Sequence, residues 1–411
     1  MLPTEQIFVI FGVLLLTSVL ASKASSRFGV PALLLFLIVG MLAGSDGIGN
    51  IEFEDAVMAK LIGDFALTVI LFSGGLDTEW SKIRPVLLPG LSLSSVGVVL
   101  TIALVGSFSW FILGSFSTFE LGPNGISWGE ALLLGAIISS TDAAAVFSVL
   151  RSSPFQLPDK LQGLLELESG SNDPMAVLLT VNILGILTST HFSLGTFILE
   201  LFLQLLIAVL LGYGGGLAMV WIINHLNLAS PGLYPAATLG LIFLLSGTTT
   251  VLHGSAVLTI YLAGIVMGHH DFTNRQVIMS FHDGLTWLVQ IIMCLTFGLL
   301  VVPDELPATA AISISIALFL IFVARPISVF VSLSFSEFNW REKLFIAWVG
   351  LRGAIPMILA TLPLTMNLSQ AKAIFNVVFF IVLLSIFLQG LTLVPVAKRL
   401  SLFENKESEL I

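Results

Sequence analysis

The sequence predicts an all-α polytopic membrane protein of about thirteen transmembrane helices, arranged as inverted six-helix repeats with one interrupted helix in each. Three observations predict it. The 411 residues are 56% hydrophobic and only 10% charged, with a mean hydropathy of +1.05, a composition that no soluble class shares. Apolar runs of spanning length recur along the chain, separated by Gly, Pro, Asn and charged residues. The basic residues fall almost entirely on one side of the resulting layout.

The runs, in order, are 6–22, 31–44, 57–76, 87–113, 129–150, 162–188, 196–223, 234–252, 255–269, 284–302, 308–333, 342–366 and 373–397. The first has no basic segment before it and no small-residue cleavage site after it, so it reads as a retained span. The second and ninth are short. The fifth and twelfth carry polar or Gly/Pro interruptions, and the sixth carries the densest polar stretch. The seventh contains a glycine cluster, Gly212 to Gly216, that suits close helix packing. With the N-terminus outside, twelve of the sixteen Lys and Arg residues fall in inside loops and the tail, Lys60 and Lys372 fall outside, and Arg325 and Arg352 lie within spans. Acids show the complement, with Asp46, Glu52, Glu54, Asp55, Glu120, Asp304 and Glu305 in outside loops. The predicted topology is therefore N-out and C-in. Cys294 is the only cysteine, which leaves no disulfide or cysteine-based metal site within one chain and suits a small core residue.

The organising stretch is Glu168-Ser169-Gly170-Ser171-Asn172-Asp173-Pro174 in the sixth span. An acid at the centre of a spanning helix costs roughly 2.5–3.5 kcal/mol, so it normally faces a partner or a water-filled cavity. Helical spacing puts Ser169 and Asp173 on one face and Glu168 and Asn172 on the adjacent one. Pro174 lacks an N–H and leaves the Gly170 carbonyl without its intrahelical partner. A carboxylate beside a hydroxyl and a spare carbonyl is a seat for a small cation or a proton. Asp173 lies roughly 16 Å into its span and Asp142 roughly 20 Å into the fifth, from the opposite side. Arg352, about 10 residues into the twelfth span, also reaches the midplane of a hydrocarbon core about 30 Å thick.

Ser139-Ser140-Thr141-Asp142 interrupts the fifth span, and Gly350-Leu351-Arg352-Gly353-Ala354-Ile355-Pro356 the twelfth, where Pro356 is expected to free the Arg352 carbonyl. Interrupted helices in corresponding positions of two halves point to an inverted-repeat secondary transporter. With spans 1 to 6 and 8 to 13 as repeats and span 7 as the link, each broken span is the fifth of its half. Glu166, about 200° around the helix from Glu168, is expected at the inside mouth. Arg325 suits either snorkelling or a core ion pair. His269 and His270 beside Asp271 read as loop residues or a pH sensor, and His225 and His253 carry no signal beyond packing.

At these residues the chain resembles the NhaP-type monovalent cation/proton antiporters, most nearly the potassium/proton branch associated with cell-volume regulation. The segments that carry the resemblance are 140–148, 167–177, Ala324-Arg325-Pro326 and 348–356, with Thr141-Asp142, Asn172-Asp173-Pro174 and Leu351-Arg352-Gly353-Ala354 in that order. The resemblance implies a NhaA/NhaP-like antiporter fold with the two interrupted helices crossed. It implies that Asp173 holds either the cation or a proton, and that Ser169 and the Thr141 main chain are further cation ligands. It further implies that Glu168, Asn172 and Arg352 form a stabilising ion-pair network, with Asp142 balancing the half-helix ends. It also implies a homodimer in a bacterial inner membrane, with residues 1–404 as the exchanger. Spans about 6–76 and 234–302 are its dimerising scaffold, spans about 87–188 and 308–397 its moving core, and 405–411 a short cytoplasmic tail. Two departures stand out: Ser73 precedes Gly74-Gly75 where relatives often carry an acid, and relatives continue into a cytoplasmic domain beyond the length of this chain.

The mechanism expected is alternating access without cofactor or covalent intermediate, hence a transporter and not an enzyme. Its partners are the lipid bilayer, monovalent cations and protons, and nucleic acid has no place. Desolvation penalises a bare Asp173 carboxylate, so cation and proton compete for it. Asn172, uncharged where electrogenic relatives carry a second aspartate, suggests one-for-one electroneutral exchange of potassium, or of sodium, for a proton. The expected partner of Glu168 is Arg352, since either buried charge alone would cost several kcal/mol. The alternatives are a sodium-selective carrier, a sodium-coupled solute symporter of the same architecture, a channel, and an intramembrane protease. The last lacks a His-Glu-x-x-His run.

Overall fold

The computed structural model describes residues 4–28, 31–45, 47–115, 125–151, 157–188, 193–368 and 370–402. Asp46, Glu120 and the tail expected over 405–411 lie outside them. Among the described residues the chain is helical throughout, with a single isolated bridge between Gly44 and Ile51. In chain order the helices are α1 (Thr4–Phe28), α2 (Ala32–Ala43), α3 (Ala56–Asp77), α4 (Trp80–Gly114), α5 (Trp128–Ile137), α6 (Ala143–Arg151), α7 (Asp159–Thr188) and α8 (Leu194–His225). They continue with α9 (Leu233–Val251), α10 (Ala256–His269), α11 (Arg275–Leu299), α12 (Thr309–Ser332), α13 (Trp340–Trp348), α14 (Ala354–Thr365) and α15 (Ala371–Arg399). Nine of these are long and apolar enough to cross a membrane, and α2, α5, α10 and α14 are shorter apolar helices.

The runs read as spans five and twelve are each two helices. Residues 138–142 separate α5 from α6, and residues 349–353 separate α13 from α14. One boundary is corrected. The tenth span was expected from residue 284, but α11 begins at Arg275, with Asn274 before it in the left-handed region at φ 56°. Its first turns are polar on one side and bury Ile278 and His282 on the other, so a hydropathy window misses them. Pro356 also differs from expectation. It sits in the first turn of α14, where an N–H would lack an intrahelical acceptor anyway, and so it begins a helix and frees no mid-helix carbonyl.

Close approach of small residues sets the packing, as suits helices that meet without a strong hydrophobic force between them. Gly75 of α3 packs against the backbone of Tyr261 and Gly264 of α10, and Gly40 of α2 packs against Leu295 and Gly298 of α11. In the α8 glycine cluster, Gly212 and Gly216 pack against α10 and Gly215 against α9. Cys294 is a buried core residue.

Candidate functional site: two crossed breaks around a buried aspartate

Unwinding a helix in the membrane leaves orphan N–H and C=O groups, and each needs a partner. Here the two breaks satisfy each other. The Asp142 N–H donates to the Leu351 carbonyl at 2.8 Å. Arg352 Nη1 donates to the carbonyls of Ser139 and Ser140 at 2.6 and 2.7 Å, placing a fixed positive charge at the C-terminal end of α5. The Asp142 carboxylate caps α6, accepting the Ala145 N–H at 2.9 Å, and lies over Gly353, where a Cβ would overlap it. One acid thus stands beside the N-terminal ends of both α6 and α14.

The flanking long helices complete the job with side chains. From α7, Ser169 Oγ donates to the Thr141 carbonyl at 2.8 Å and accepts the Ala143 N–H at 3.1 Å. Asn172 Nδ2 donates to Thr141 Oγ1 at 2.6 Å, while its Oδ1 accepts the Thr141 N–H at 3.3 Å. From α15, Ser385 Oγ accepts the Arg352 N–H at 3.0 Å and donates to Gln389 Oε1 at 2.5 Å, and Gln389 Nε2 donates to the Trp348 carbonyl at 2.7 Å. Asp173 is buried, and one of its oxygens accepts a 2.5 Å hydrogen bond from Ser140 Oγ. Asp173, Ser169, Thr141, Asn172 and Asp142 are therefore brought together at the first break, and Arg352 at the second reaches back to it.

The expected Glu168–Arg352 pair is not what the structure shows. Glu168 Oε1 pairs with Arg325 Nη1 at 2.5 Å, both side chains being 5% exposed or less. Arg325 Nη2 also donates to the Ile346 carbonyl at 3.3 Å, and its side chain lies along Gly350. The reason is competition: the Arg352 guanidinium is committed to the carbonyl end of α5, leaving Arg325 as the cation within reach. Arg325 is thus a core ion-pair residue and does not snorkel.

Ser140, Ser385 and Gln389 were not read from sequence as site residues. The available signal was a Ser and a Gln at helical i, i+4 spacing in a largely apolar last span. Ser385→Ala would orphan the buried Arg352 amide, a loss of about 1–3 kcal/mol. We expect a lower melting temperature for the detergent-solubilised variant by tryptophan fluorescence, and unchanged melting would refute the role of this hydroxyl.

A cavity of about 290 Å³ leads to Asp173. The carboxylic residues along it are Asp77, Asp142, Glu166, Asp173 and Asp283, and no Lys, Arg or His is among its described lining residues. Such a wall attracts cations and repels anions. Its outer part lies at the C-terminal end of α3 and the early turns of α7 and α11. On the same face, Lys82 meets Glu79 at 3.3 Å and Asp159 at 3.6 Å, and Lys160 meets Glu337 at 3.6 Å.

Comparison with known proteins agrees with this geometry. Residues 12–399 match the family described as "Sodium/hydrogen exchanger, transmembrane". The chain is 42% identical over 401 residues to the K(+)/H(+) antiporter NhaP of Alkalimonas amylolytica, covering 97% of this chain and 68% of that protein. It is 41% identical over 397 residues to the K(+)/H(+) antiporter NhaP2 of Shewanella oneidensis, covering 96% and 67%. It is 26% identical to the Na(+)/H(+) antiporter ApNhaP of Aphanothece halophytica over 98% of this chain and 76% of that one. In fold it is similar to the sodium proton antiporter MjNhaP1 of Methanocaldococcus jannaschii, with a TM-score of 0.80 at 23% identity over 96% of this chain and 99% of that one. Family membership makes it an integral membrane transporter and not an enzyme, one that moves ions and carries no cofactor. The chain belongs to the sodium/hydrogen exchanger family of cation/proton antiporters.

Proposed function

We propose that the chain exchanges a monovalent cation for a proton by alternating access, with Asp173 as the site both occupy in turn. The observation that carries the reading is a buried carboxylate at the crossing of two broken helices, at the end of a cavity walled by acids. A bare carboxylate there is costly, so it holds either a proton or a cation. Ser140 donates to it, and Ser169 and the Thr141 carbonyl are further neutral oxygens at the same break. The Thr141 carbonyl accepts one bond from Ser169 and keeps a second lone pair for a cation.

Potassium is the cation we propose, because relatives above 40% identity, those of Alkalimonas amylolytica and Shewanella oneidensis among them, are named K(+)/H(+) antiporters. Asn172 supports electroneutral one-for-one exchange: it is uncharged and spends its amide clamping Thr141. Thirteen crossings in two inverted six-span repeats also find support. The fourth spans (α4 and α12) each contain a π-helical turn, Leu93–Gly97 and Leu320–Ala324. The fifth are broken, and the sixth (α7 and α15) clamp those breaks. α8 is the link. The basic face into which the cavity opens is the cytoplasmic one by the positive-inside rule, so the conformation is inward-facing in a bacterial inner membrane, N-terminus out and C-terminus in. The scaffold comprises α1–α3 and α9–α11, and the exposed apolar faces of α1 and α8 suit lipid and a second copy in a homodimer.

The test uses protein in liposomes loaded with a pH dye, adding potassium, sodium or lithium chloride with and without a clamped voltage. We expect potassium-dependent proton flux that ignores voltage and is abolished by Asp173→Asn. Voltage-sensitive flux would overturn one-for-one exchange, and solute uptake driven by sodium would favour a symporter.

A further inference from the structure

Tyr261 of α10 meets the site in a way the reading above does not use. It is 4% exposed, it lines the acidic cavity, and among the described residues its hydroxyl has Thr78 as its polar neighbour and no hydrogen bond of good geometry. Thr78 spends its own hydroxyl proton on the Gly74 carbonyl at 2.7 Å, so towards the phenol it can only accept, and the lone pairs of the phenol oxygen stay free. A buried hydroxyl without a partner is costly to keep, and most buried polar atoms are satisfied.

The placement of this phenol is closely determined. Its ring and hydroxyl lie flush on Gly170 of α7, where a Cβ would coincide with the hydroxyl end of the ring. Gly170 stands next to Ser169 and one helical turn before Asp173, and all three line the same cavity as the phenol. On the other side, the Tyr261 backbone is held by the close α3–α10 contact through Gly75 and Gly264. A rigid helix pair thus delivers one neutral oxygen to the polar face of α7.

We infer that the Tyr261 hydroxyl is a cation ligand, supplied from α10 and joining the oxygens of Asp173, Ser169 and Thr141 when a monovalent cation enters from the cavity. The free lone pairs of the phenol oxygen then acquire a partner on binding. As a neutral donor it adds coordination without a second charge, which leaves one-for-one exchange intact. Because α10 and α7 fall in the two groups of helices that alternating access moves apart, this ligand is present only in the conformation seen here. This inference rests on the proposed cation site at Asp173.

Tyr261→Phe removes the oxygen and keeps the ring that packs on Gly170. Purified wild type, Tyr261→Phe and Asp173→Asn would be melted in detergent across a potassium chloride series, with choline chloride holding ionic strength. Exchange would be measured in parallel in liposomes. The expected result is an unchanged melting temperature in choline, a stabilisation midpoint for potassium raised about 3- to 10-fold in Tyr261→Phe, a matching rise in KM, and a maximal rate within about twofold of wild type. A Tyr261→Phe protein with wild-type midpoint and KM overturns the ligand role while leaving antiport standing, and so does a wild type that potassium does not stabilise. A lower maximal rate at unchanged midpoint also overturns it, since that is the mark of a gate. Wild type that binds potassium but exchanges nothing overturns the antiport reading, and the binding midpoint still decides the ligand.

Discussion

Glu168→Leu should destabilise the protein by about 3–5 kcal/mol, the scale for removing one partner of a buried ion pair. It leaves the Arg325 guanidinium without its counter-charge at a position 4% exposed. A guanidinium cannot shed its charge, whereas a carboxyl can take up a proton, so Arg325→Leu should be the milder of the two. The double variant should recover much of the loss, because both charges leave together. Melting of the four proteins in detergent gives the coupling energy directly. A matching cycle on Glu168 and Arg352 should return a much smaller coupling. A large value there, with a small one for Arg325, would refute the pairing described here.

Gly353→Ala should reduce exchange by about 100-fold, the scale on which a shift of about 1 Å at a positioned site acts. The added methyl would occupy space held by the Asp142 carboxylate, and that carboxylate is not free to leave. It caps α6 through the Ala145 amide, and its own N–H is bonded to Leu351. The crossing must therefore open, carrying Ser140 and its contact to Asp173 with it. Gly350→Ala meets Arg325, nearest at Nε, with a smaller overlap than the methyl at Gly353 makes with Asp142, and should cost less. Flux assays on variants of matched helix content by circular dichroism would check the order, and equal activity in Gly353→Ala and wild type would refute the tight crossing.

Much of this arrangement was legible before any coordinates. Depth along each run placed Asp142, Asp173 and Arg352 near one level, because helical rise converts residue number into distance. Polar residues in apolar runs marked the break at 139–142, and glycines marked the one at 350–353, since a membrane tolerates irregular backbone only where partners exist. What sequence could not supply was partner choice. Two arginines were within plausible reach of Glu168, and only the crossing of the breaks shows that Arg352 faces the carbonyls of Ser139 and Ser140 and leaves Glu168 to Arg325. Ser385, Gln389 and Tyr261 were likewise silent, being ordinary residues in apolar helices whose meaning comes from what lies opposite. Periodicity and depth are properties of one helix, and the sequence by itself determined those. Which oxygen meets which charge depends on how three or four helices approach one another, and only the tertiary structure decided that.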